Sequence, residues 1–439
     1  MVILIPSKTR EKDLVKVKGK KILIVGFGKS GQAAARYCLE NGADVTVNDS
    51  RPASDFDLRT YGLKDLRTCF GSHPLELFES ADIIVVSPGV PLDLDGVKAA
   101  NAKGTPIVGE MELFEIKKPV IAITGTNGKS TVTTLVGEML KKNGTKAVVG
   151  GNLGTPFLDM LEEYKNAEYV VLEVSSYQLE ISPHLRPYIA VLLNITPDHL
   201  DRYSSLNSYI AAKALITKNL IGNDYLVYNE SDPEVVNISR SAISKKIGFS
   251  LNSKLPDGIN LDDAKIVGSH NRENLITAAI IADIAGCSKE SIQYVINNFP
   301  GLPHRNRFIR EVNGVKYFDD SKGTNIGAVE KSLAGFDSKV ILIAGGLDKG
   351  VDFTPIKEII HSKTKAVVLI GAAQKRIAMV LNGSTEIVMA DDMAAAVREA
   401  AARAATGDIV LLSPGCASFD MFKSYAHRGD VFVGEVEKL

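Results

Sequence analysis

Cysteine is scarce in this chain, and its scarcity removes whole classes of protein. Cys38, Cys69, Cys287 and Cys416 are the only four in 439 residues, and none has the paired spacing of a disulfide framework or a Cys-based zinc site. Single reduced thiols, and with them a cytoplasmic setting, are the expectation. Long apolar runs are missing too. Stretches such as Ile189–Leu193 fall far short of the ~20 residues a membrane span needs, so no membrane insertion is expected. The N-terminal MVILIPSKTR has too short an apolar core for a signal peptide. An excess of charge is also absent: 51 Lys and Arg face 52 Asp and Glu, for a formal net charge of −1. No global field draws such a chain to nucleic acid or to an anionic membrane. What is left is ordinary for a globular protein, 45% hydrophobic and 23% charged. At ~150 residues per domain the length allows about three domains.

The most informative stretch is TGTNGKST, Thr124 to Thr131. The apolar run Val120–Ile123 before it reads as a buried strand, and Thr131–Leu140 behind it reads as a helix. A glycine loop between strand and helix N-terminus turns backbone N–H groups into one concavity, where a phosphate chain is favoured. Gly125, Thr126, Asn127 and Gly128 would form the cradle. Lys129 would add a charge at the terminal phosphates, and Ser130 or Thr131 a hydroxyl for Mg²⁺. The usual phosphate-loop pattern asks for an outer glycine where this chain has Ile123, so an ordinary turn stays open as the other reading.

Around this loop the chain reads as α/β. Lys21–Val25 is a strand, followed by Gly26-Phe-Gly28-Lys-Ser-Gly31, a helix to about Asn41, and strand Asp44–Asn48 ending at Asp49. That is a GxGxxG loop with an acidic residue 23 positions after Gly26, a dinucleotide fingerprint that alone predicts NAD. Strand Asp82–Val86 runs into Ser87-Pro88-Gly89. A boundary near Gly109 precedes a helix at Glu110–Glu115. Strands Ala147–Val149, Tyr169–Val174 and Tyr188–Asn194 follow. Glu173, a carboxylate among Val and Leu, needs a partner or a metal. His199, on the loop after the third of these strands, is a ligand or base candidate or a structural hydrogen bonder. Lys213 lies on a helix Leu206–Leu220 among small alanines, and reads by itself as a solvated lysine. The stretch to Val267 reads as strand-like pieces with turns. Asn271 and Asn274 share one face of the helix that opens at GSHNRENL. A second boundary falls near Phe299-Pro300-Gly301. Beyond it Arg307–Val312 and Val315–Phe318 flank Asn313-Gly314, a hairpin signal. Strands Lys339–Ala344, Ala366–Ile370 and Asp408–Leu412 complete a mostly parallel sheet.

The combination of TGTNGKST, LEVSSYQLE, PDHLDRY, the AAK helix, GSHNREN, LPHR and DDSKGTN resembles the Mur ligase family, the ATP-dependent amide ligases of peptidoglycan synthesis. DDSKGTN and LLSPGCASFDMFKSYAHRGDVF look like the members that add D-glutamate to UDP-N-acetylmuramoyl-L-alanine. The family's phosphate loop also lacks the outer glycine. The resemblance spans nearly the whole chain. It implies three domains: a Rossmann-like UDP-substrate domain at 1–109, a central P-loop ATPase-type domain at 110–301, and a Rossmann-like amino-acid domain at 302–439. It turns the first glycine loop from an NAD site into a holder of the UDP-linked substrate. Lys29, Ser30 and Gly31 would face its pyrophosphate, Asp49 and Arg51 its uracil end, and Ser87, Pro88 and Gly89 the same crevice, with Asn152, Ser175 and Gln178 on the substrate side. Ser130 and Glu173 match the holders of a first Mg²⁺, and His199 a ligand of a second. Lys213 matches the lysine that the family carries as a carbamate. Asn271, Asn274, Arg305 and Asp320 match contacts to ATP. Lys322, Thr324, Lys349, Ser418 and Phe419 match the D-glutamate pocket. The family often has Phe where this chain has Tyr425.

The implied reaction passes through an acyl phosphate and yields ADP and phosphate, with Lys129, His199 and Lys213 as the catalytic set. ATP would be gripped by the central and third domains, which would close about Pro300-Gly301. A cytoplasmic monomer with no nucleic-acid partner is expected. The alternatives left open are another Mur-type or folylpolyglutamate-type ligase, a non-catalytic nucleotide-binding protein, and an NAD-dependent oxidoreductase.

Overall fold

The computed structural model describes residues 16–56, 66–152, 154–198, 202–266, 268–348 and 350–439. Its strands form three sheets with helices between the strands, the α/β architecture expected of βα alternation. Among the described residues no helix is long and apolar enough to cross a membrane.

The first sheet has the order Arg67–Phe70, Asp44–Asp49, Lys21–Val25, Ile83–Val86, Ile107–Val108, all parallel. Lys21–Val25 is central, and Ile22 to Val25 are buried, as a strand covered on both faces requires. The strand order reverses between it and Ile83–Val86. Ligands collect at the C-terminal edge of such a switch point. The loop Gly26–Gly31 and the turn Ser87–Val90 both leave there.

The second sheet has the order Lys245–Phe249, Tyr225–Asn229, Ile189–Leu192, Val120–Thr124, Tyr169–Glu173, Ala147–Gly151, again parallel throughout. Val120–Thr124 is fully buried and sits between the strands that end at Leu192 and Glu173. The third sheet has the order Arg307–Val312, Val315–Asp319, Ile409–Leu412, Val340–Gly345, Thr364–Ile370, Glu386–Met389. Only its first pair is antiparallel, and Asn313 (φ 51°) with Gly314 (φ 76°) forms the expected tight hairpin turn.

The chain clusters into two compact units. One runs to Asp257 and adds Thr277–Ile292, and it holds the first two sheets. The other comprises Gly258–Ile276 and Gln293–Leu439, and it holds the third. Within the first unit the two sheets are stitched together at several points. Gly109 N–H donates to Ile181 C=O (2.6 Å), and the buried Glu110 carboxylate accepts from Phe157 and Leu158 N–H at 3.1 and 3.2 Å. Arg36 pairs with Asp159 at 2.7 Å.

Three elements differ from expectation. Glu110–Leu113 is a single 3₁₀ turn rather than a helix to Glu115. The helix at Leu206 stays α only to Ala214 and tightens to 3₁₀ over Leu215–Thr217, where the Thr217 hydroxyl takes the Ala214 carbonyl (2.8 Å). Pro233–Ser241 is a helix inside the stretch read as strand-like pieces. Asp232 caps it through Glu234 and Val235 N–H, Pro233 begins it, and Val235 and Ile238 are its buried stripe.

Candidate functional site

The loop after Val120–Thr124 is held open by its own geometry. Gly125 has φ 152°, and a Cβ there would stand 2.8 Å from Leu193 Cβ. Gly128 (φ 88°) is the N-cap of the helix Lys129–Lys142, which starts without a side-chain cap. The neighbouring strand end clamps the loop. Asn194 C=O accepts from Thr126 N–H (2.8 Å), its Oδ1 accepts from Asn127 N–H (2.8 Å), and its Nδ2 donates to Asn127 C=O (3.0 Å). Thr126 Oγ1 lies 3.1 Å from the Tyr209 hydroxyl. The outcome is a rigid concavity at a helix N-terminus, which suits a phosphate.

Two amines converge on this loop. Lys129 Nζ donates to Gly125 C=O (2.7 Å) and Thr126 C=O (2.8 Å). Lys213 Nζ donates to the same Gly125 C=O (2.9 Å) and lies 4.6 Å from the Tyr209 ring centroid. Lys213 is 1% exposed, so the solvated-lysine alternative does not hold. Burial, then the neighbouring Lys129 charge, drives its pKa well below the ordinary lysine value.

The carboxylate of Glu173, 2% exposed, ends the adjacent strand. Its Oε2 accepts from Ser130 Oγ (2.5 Å), and its Oε1 from Asn152 Nδ2 (2.6 Å). Ser175 and Gln178 form a reciprocal capping box at the start of the helix Ser176–Glu180, at the same edge. A hydroxyl and a carboxylate beside a phosphate loop suit Mg²⁺, which takes one or two carboxylates together with substrate phosphates. Among the described residues no group of three His, Cys, Asp or Glu side chains could hold a metal by itself. His199 lies outside the described residues.

At the first sheet's switch point Gly31 packs so closely that a Cβ would stand 2.0 Å from Gly26 C=O. Lys29, Ser30 and Gly31 form the first turn of the helix Lys29–Glu40, and Lys29 Nζ donates to Gly154 C=O (3.3 Å) at the second sheet's edge. Ser87 Oγ donates to Gly26 C=O (2.7 Å), joining the glycine loop to the Ser87-Pro88-Gly89 turn. Asp49 accepts from Phe27 N–H (2.7 Å) and from Arg51 N–H, Nε and Nη2 (2.8–3.0 Å). Burial opposes ionisation, but these bonds outweigh it and hold the carboxyl at about 2. Both its oxygens are spent on the protein, which weakens the NAD reading, where they would take a ribose. Arg51 also stacks over Phe56, itself stacked on Phe70, an aromatic patch that the motifs did not signal.

In the second unit, Asn271 and Asn274 are each 9% exposed on the helix Ser269–Ile284. Asp320 is buried and accepts from Ser332 Oγ and Ser413 Oγ (2.8 Å each) and from Asn306 N–H (3.2 Å). Burial still pushes its carboxyl up to about 6. Lys322 Nζ lies 3.9 Å from the Tyr425 ring centroid. Thr324 is exposed nearby, two residues beyond Lys322. Ser418 is buried with no hydrogen-bond partner for its hydroxyl among the described residues, and Phe419 is 69% exposed. Lys349 lies outside the described residues. Arg428 was not anticipated. It is completely buried and donates to Ser321 Oγ (3.0 Å), Ser321 C=O (2.8 Å) and Cys416 C=O (3.0 Å), fastening two loops of this edge.

Parallel sheets whose glycine loops and acidic partners meet at switch points define a nucleotide-binding α/β protein. Comparison with known proteins narrows this class. Residues 20–109 match a Mur ligase MurD-like N-terminal domain, 123–282 the Mur ligase middle domain, and 304–416 the Mur ligase glutamate ligase domain. The chain is 43% identical to the UDP-N-acetylmuramoylalanine–D-glutamate ligase of Desulfosudis oleivorans, over 97% of this chain and 98% of that one. It is 41% identical to the protein of the same name from Syntrophotalea carbinolica, over 97% and 99%. The chain therefore belongs to the Mur ligase family. The fold is shared with a pseudomurein peptide ligase type C from Methanothermus fervidus (TM-score 0.59, 19% identity, 96% of this chain and 100% of that one). It is shared too with the MurF ligase of Thermotoga maritima, solved in complex with ADP (TM-score 0.58, 18% identity, 98% and 100%).

Proposed function

We propose that the chain is an ATP-dependent ligase of peptidoglycan precursor synthesis that joins the amine of D-glutamate to the carboxylate of UDP-N-acetylmuramoyl-L-alanine. A carboxylate oxygen attacks the γ-phosphorus of ATP, the bond to the bridging oxygen breaks, and ADP leaves. The amine nitrogen then attacks the acyl carbon, phosphate leaves with the former carboxylate oxygen, and one proton is lost from nitrogen.

The observation that carries the reading is the convergence of Lys129 and Lys213 on the Gly125 carbonyl beside the Ser130–Glu173 pair. The first step brings two anions together, so its barrier is largely electrostatic. Lys129 places positive charge where the γ-phosphoryl oxygens would lie, with the amides of the loop from Gly125 to Thr131 around them. Ser130 and Glu173 would hold one Mg²⁺ and His199 and Lys213 a second, which would supply positive charge for the phosphate oxygens. Lys213 suits that task only once it carries an anion. As a neutral buried amine it can attack CO₂, forming an N–C bond and releasing a proton, and the carbamate so made offers oxygen ligands.

The UDP end is assigned to the first crevice, lined by Lys29, Ser30, Gly31, Asp49, Arg51, Ser87, Pro88 and Gly89. Asn152, Ser175 and Gln178 face the rest of that substrate. Asn271, Asn274, Arg305 and Asp320 are assigned to ATP. Lys322, Thr324, Lys349, Ser418 and Phe419 are assigned to D-glutamate, whose two carboxylates call for cations. The choice of D-glutamate rests on the names of relatives 43% and 41% identical. The chain works in the cytoplasm as a monomer, and sedimentation of the purified protein checks the oligomeric state. The deciding experiment measures phosphate release with UDP-N-acetylmuramoyl-L-alanine, ATP and a panel of amino acids. Release is expected with D-glutamate alone. Release with L-lysine or diaminopimelate instead overturns the substrate assignment.

A further inference from the structure

Only three non-glycine residues adopt positive φ among the described residues, and two of them flank Arg305: His304 (φ 60°) and Asn306 (φ 47°). The third, Asn313, is in the hairpin turn, where such a conformation is expected. Left-handed backbone is uncommon for non-glycine residues, although Asn and His adopt it more readily than most, and two such residues on either side of a third mark a locally fixed segment.

Here the surroundings are a set of bonds to one loop, together with Asp430 of the helix Tyr425–Glu437, 3.6 Å from the ring's Nε2. His304 Nδ1 donates to Asp319 Oδ2 (2.6 Å), with both side chains buried. Lys322 N–H donates to His304 C=O (2.9 Å), and Asn306 N–H donates to Asp320 Oδ1 (3.2 Å). The loop is itself fixed. Asp319 Oδ1 accepts from Ser321 N–H (2.9 Å), Arg428 holds Ser321, and Asp320 Oδ2 takes the Ser332 and Ser413 hydroxyls. Gly429 backs the histidine ring so closely that a Cβ there would stand 2.1 Å from Nδ1. The ring is thus held between Asp319 and Gly429, one residue before Arg305.

We propose that His304 is a positioning residue that ties Arg305 to Lys322, so that the ATP contact and the D-glutamate contact are built or lost together. The roles of Arg305 and Lys322 rest on the ligase reading above. The tie places the two contacts on one fixed segment, so loss of the ring weakens both.

Three variants separate the ring from the backbone. His304→Asn keeps an N–H near the position of Nδ1 and tolerates positive φ. His304→Gly tolerates positive φ but has no donor. His304→Ala has neither. Loss of a hydrogen bond to a charged group predicts a rise of about tenfold in KM for both ATP and D-glutamate in His304→Gly, with at least as much in His304→Ala. His304→Asn stays within about twofold of the native chain; kcat of the glycine variant changes little, while its melting temperature falls because Asp319 loses a buried partner. A merely structural role would lower the melting temperature and leave both KM values alone. Unchanged KM values, a rise in one only, or an asparagine variant as impaired as the glycine variant overturns the proposal. Amide hydrogen exchange on the full chain reads the tie without any substrate. Peptides covering 304–306 and 319–325 exchange faster in His304→Gly and as in the native chain in His304→Asn. Native protein that releases no phosphate with D-glutamate sinks the ligase reading, while unchanged exchange in His304→Gly overturns the tie itself.

Discussion

Replacing Lys129 with methionine should suppress carbamate formation on Lys213, a residue in another helix. The two Nζ atoms share one acceptor, Gly125 C=O, at 2.7 and 2.9 Å. Both nitrogens therefore lie within about 6 Å of each other, where two unit charges at an effective dielectric of about 20 repel by about 3 kcal/mol. That repulsion adds to burial in keeping the Lys213 amine neutral. The same proximity attracts an anionic carbamate. Methionine fills the space without charge and removes both effects, so the amine is more readily protonated and its carbamate less stable. An interaction of about 3 kcal/mol is worth about two orders of magnitude, and relaxation of the loop reduces it, so a drop of about tenfold is expected. The assay is ¹³C NMR of the full chain equilibrated with ¹³C-bicarbonate, with Lys213→Ala as the blank. Unlike turnover, this signal reads Lys213 separately from the contact of Lys129 with phosphate. An equal carbamate signal in Lys129→Met and the native chain would refute the electrostatic coupling, and its absence from the native chain would refute the carbamate.

Glu173→Gln keeps the side chain's shape but not its charge, and its half-saturating Mg²⁺ concentration should rise about tenfold or more in phosphate release, an unchanged metal requirement counting against the Ser130–Glu173 site. Arg428→Met strips three donors from buried acceptors and should cost about 3 kcal/mol in the unit that holds the third sheet, read as a loss in urea unfolding followed by circular dichroism. A loss under about 1 kcal/mol would mean that the two loops hold without it. Burial outweighs two backbone hydrogen bonds and pushes the Glu110 carboxyl up to about 7. The folded chain then holds a proton that the unfolded chain has lost, so stability falls between about pH 4.5 and pH 7 by about 3 kcal/mol. Glu110→Gln should flatten that fall in unfolding midpoints measured at pH 5 and pH 8.

Central strands and their loops were legible because they are apolar runs cut by glycine. Lys21–Val25 is found with its expected bounds, and Val120–Thr124 extends the expected run by one residue. Arg67–Phe70 and Glu386–Met389 were not legible. Both lie at sheet edges and carry few buried side chains, so no apolar run marks them. Pro233–Ser241 was obscured by its β-branched Val and Ile, although Asp232-Pro233 is a helix-start signal. Motifs named Lys129, Ser130, Glu173 and Lys213, but not the clamp by Asn194 or the ring of Tyr209, which bond the loop from 67 and 83 positions away. Arg428 and His304 escaped for a related reason. Polar residues are read as surface unless a partner is known, and theirs come from distant loops. The sequence places a boundary near Phe299–Gly301, and the chain passes between the compact units after Asp257, after Ile276 within the helix Ser269–Ile284, and after Ile292.

In the proposed first step the loop Gly125–Thr131 holds a γ-phosphoryl group while the carboxylate of UDP-N-acetylmuramoyl-L-alanine takes it. Labelling both oxygens of that carboxylate with ¹⁸O and analysing the released phosphate by mass spectrometry tests it most directly. The account predicts one ¹⁸O atom in each phosphate released in the presence of D-glutamate. Phosphate that carries none, with the amide product still formed, would contradict it.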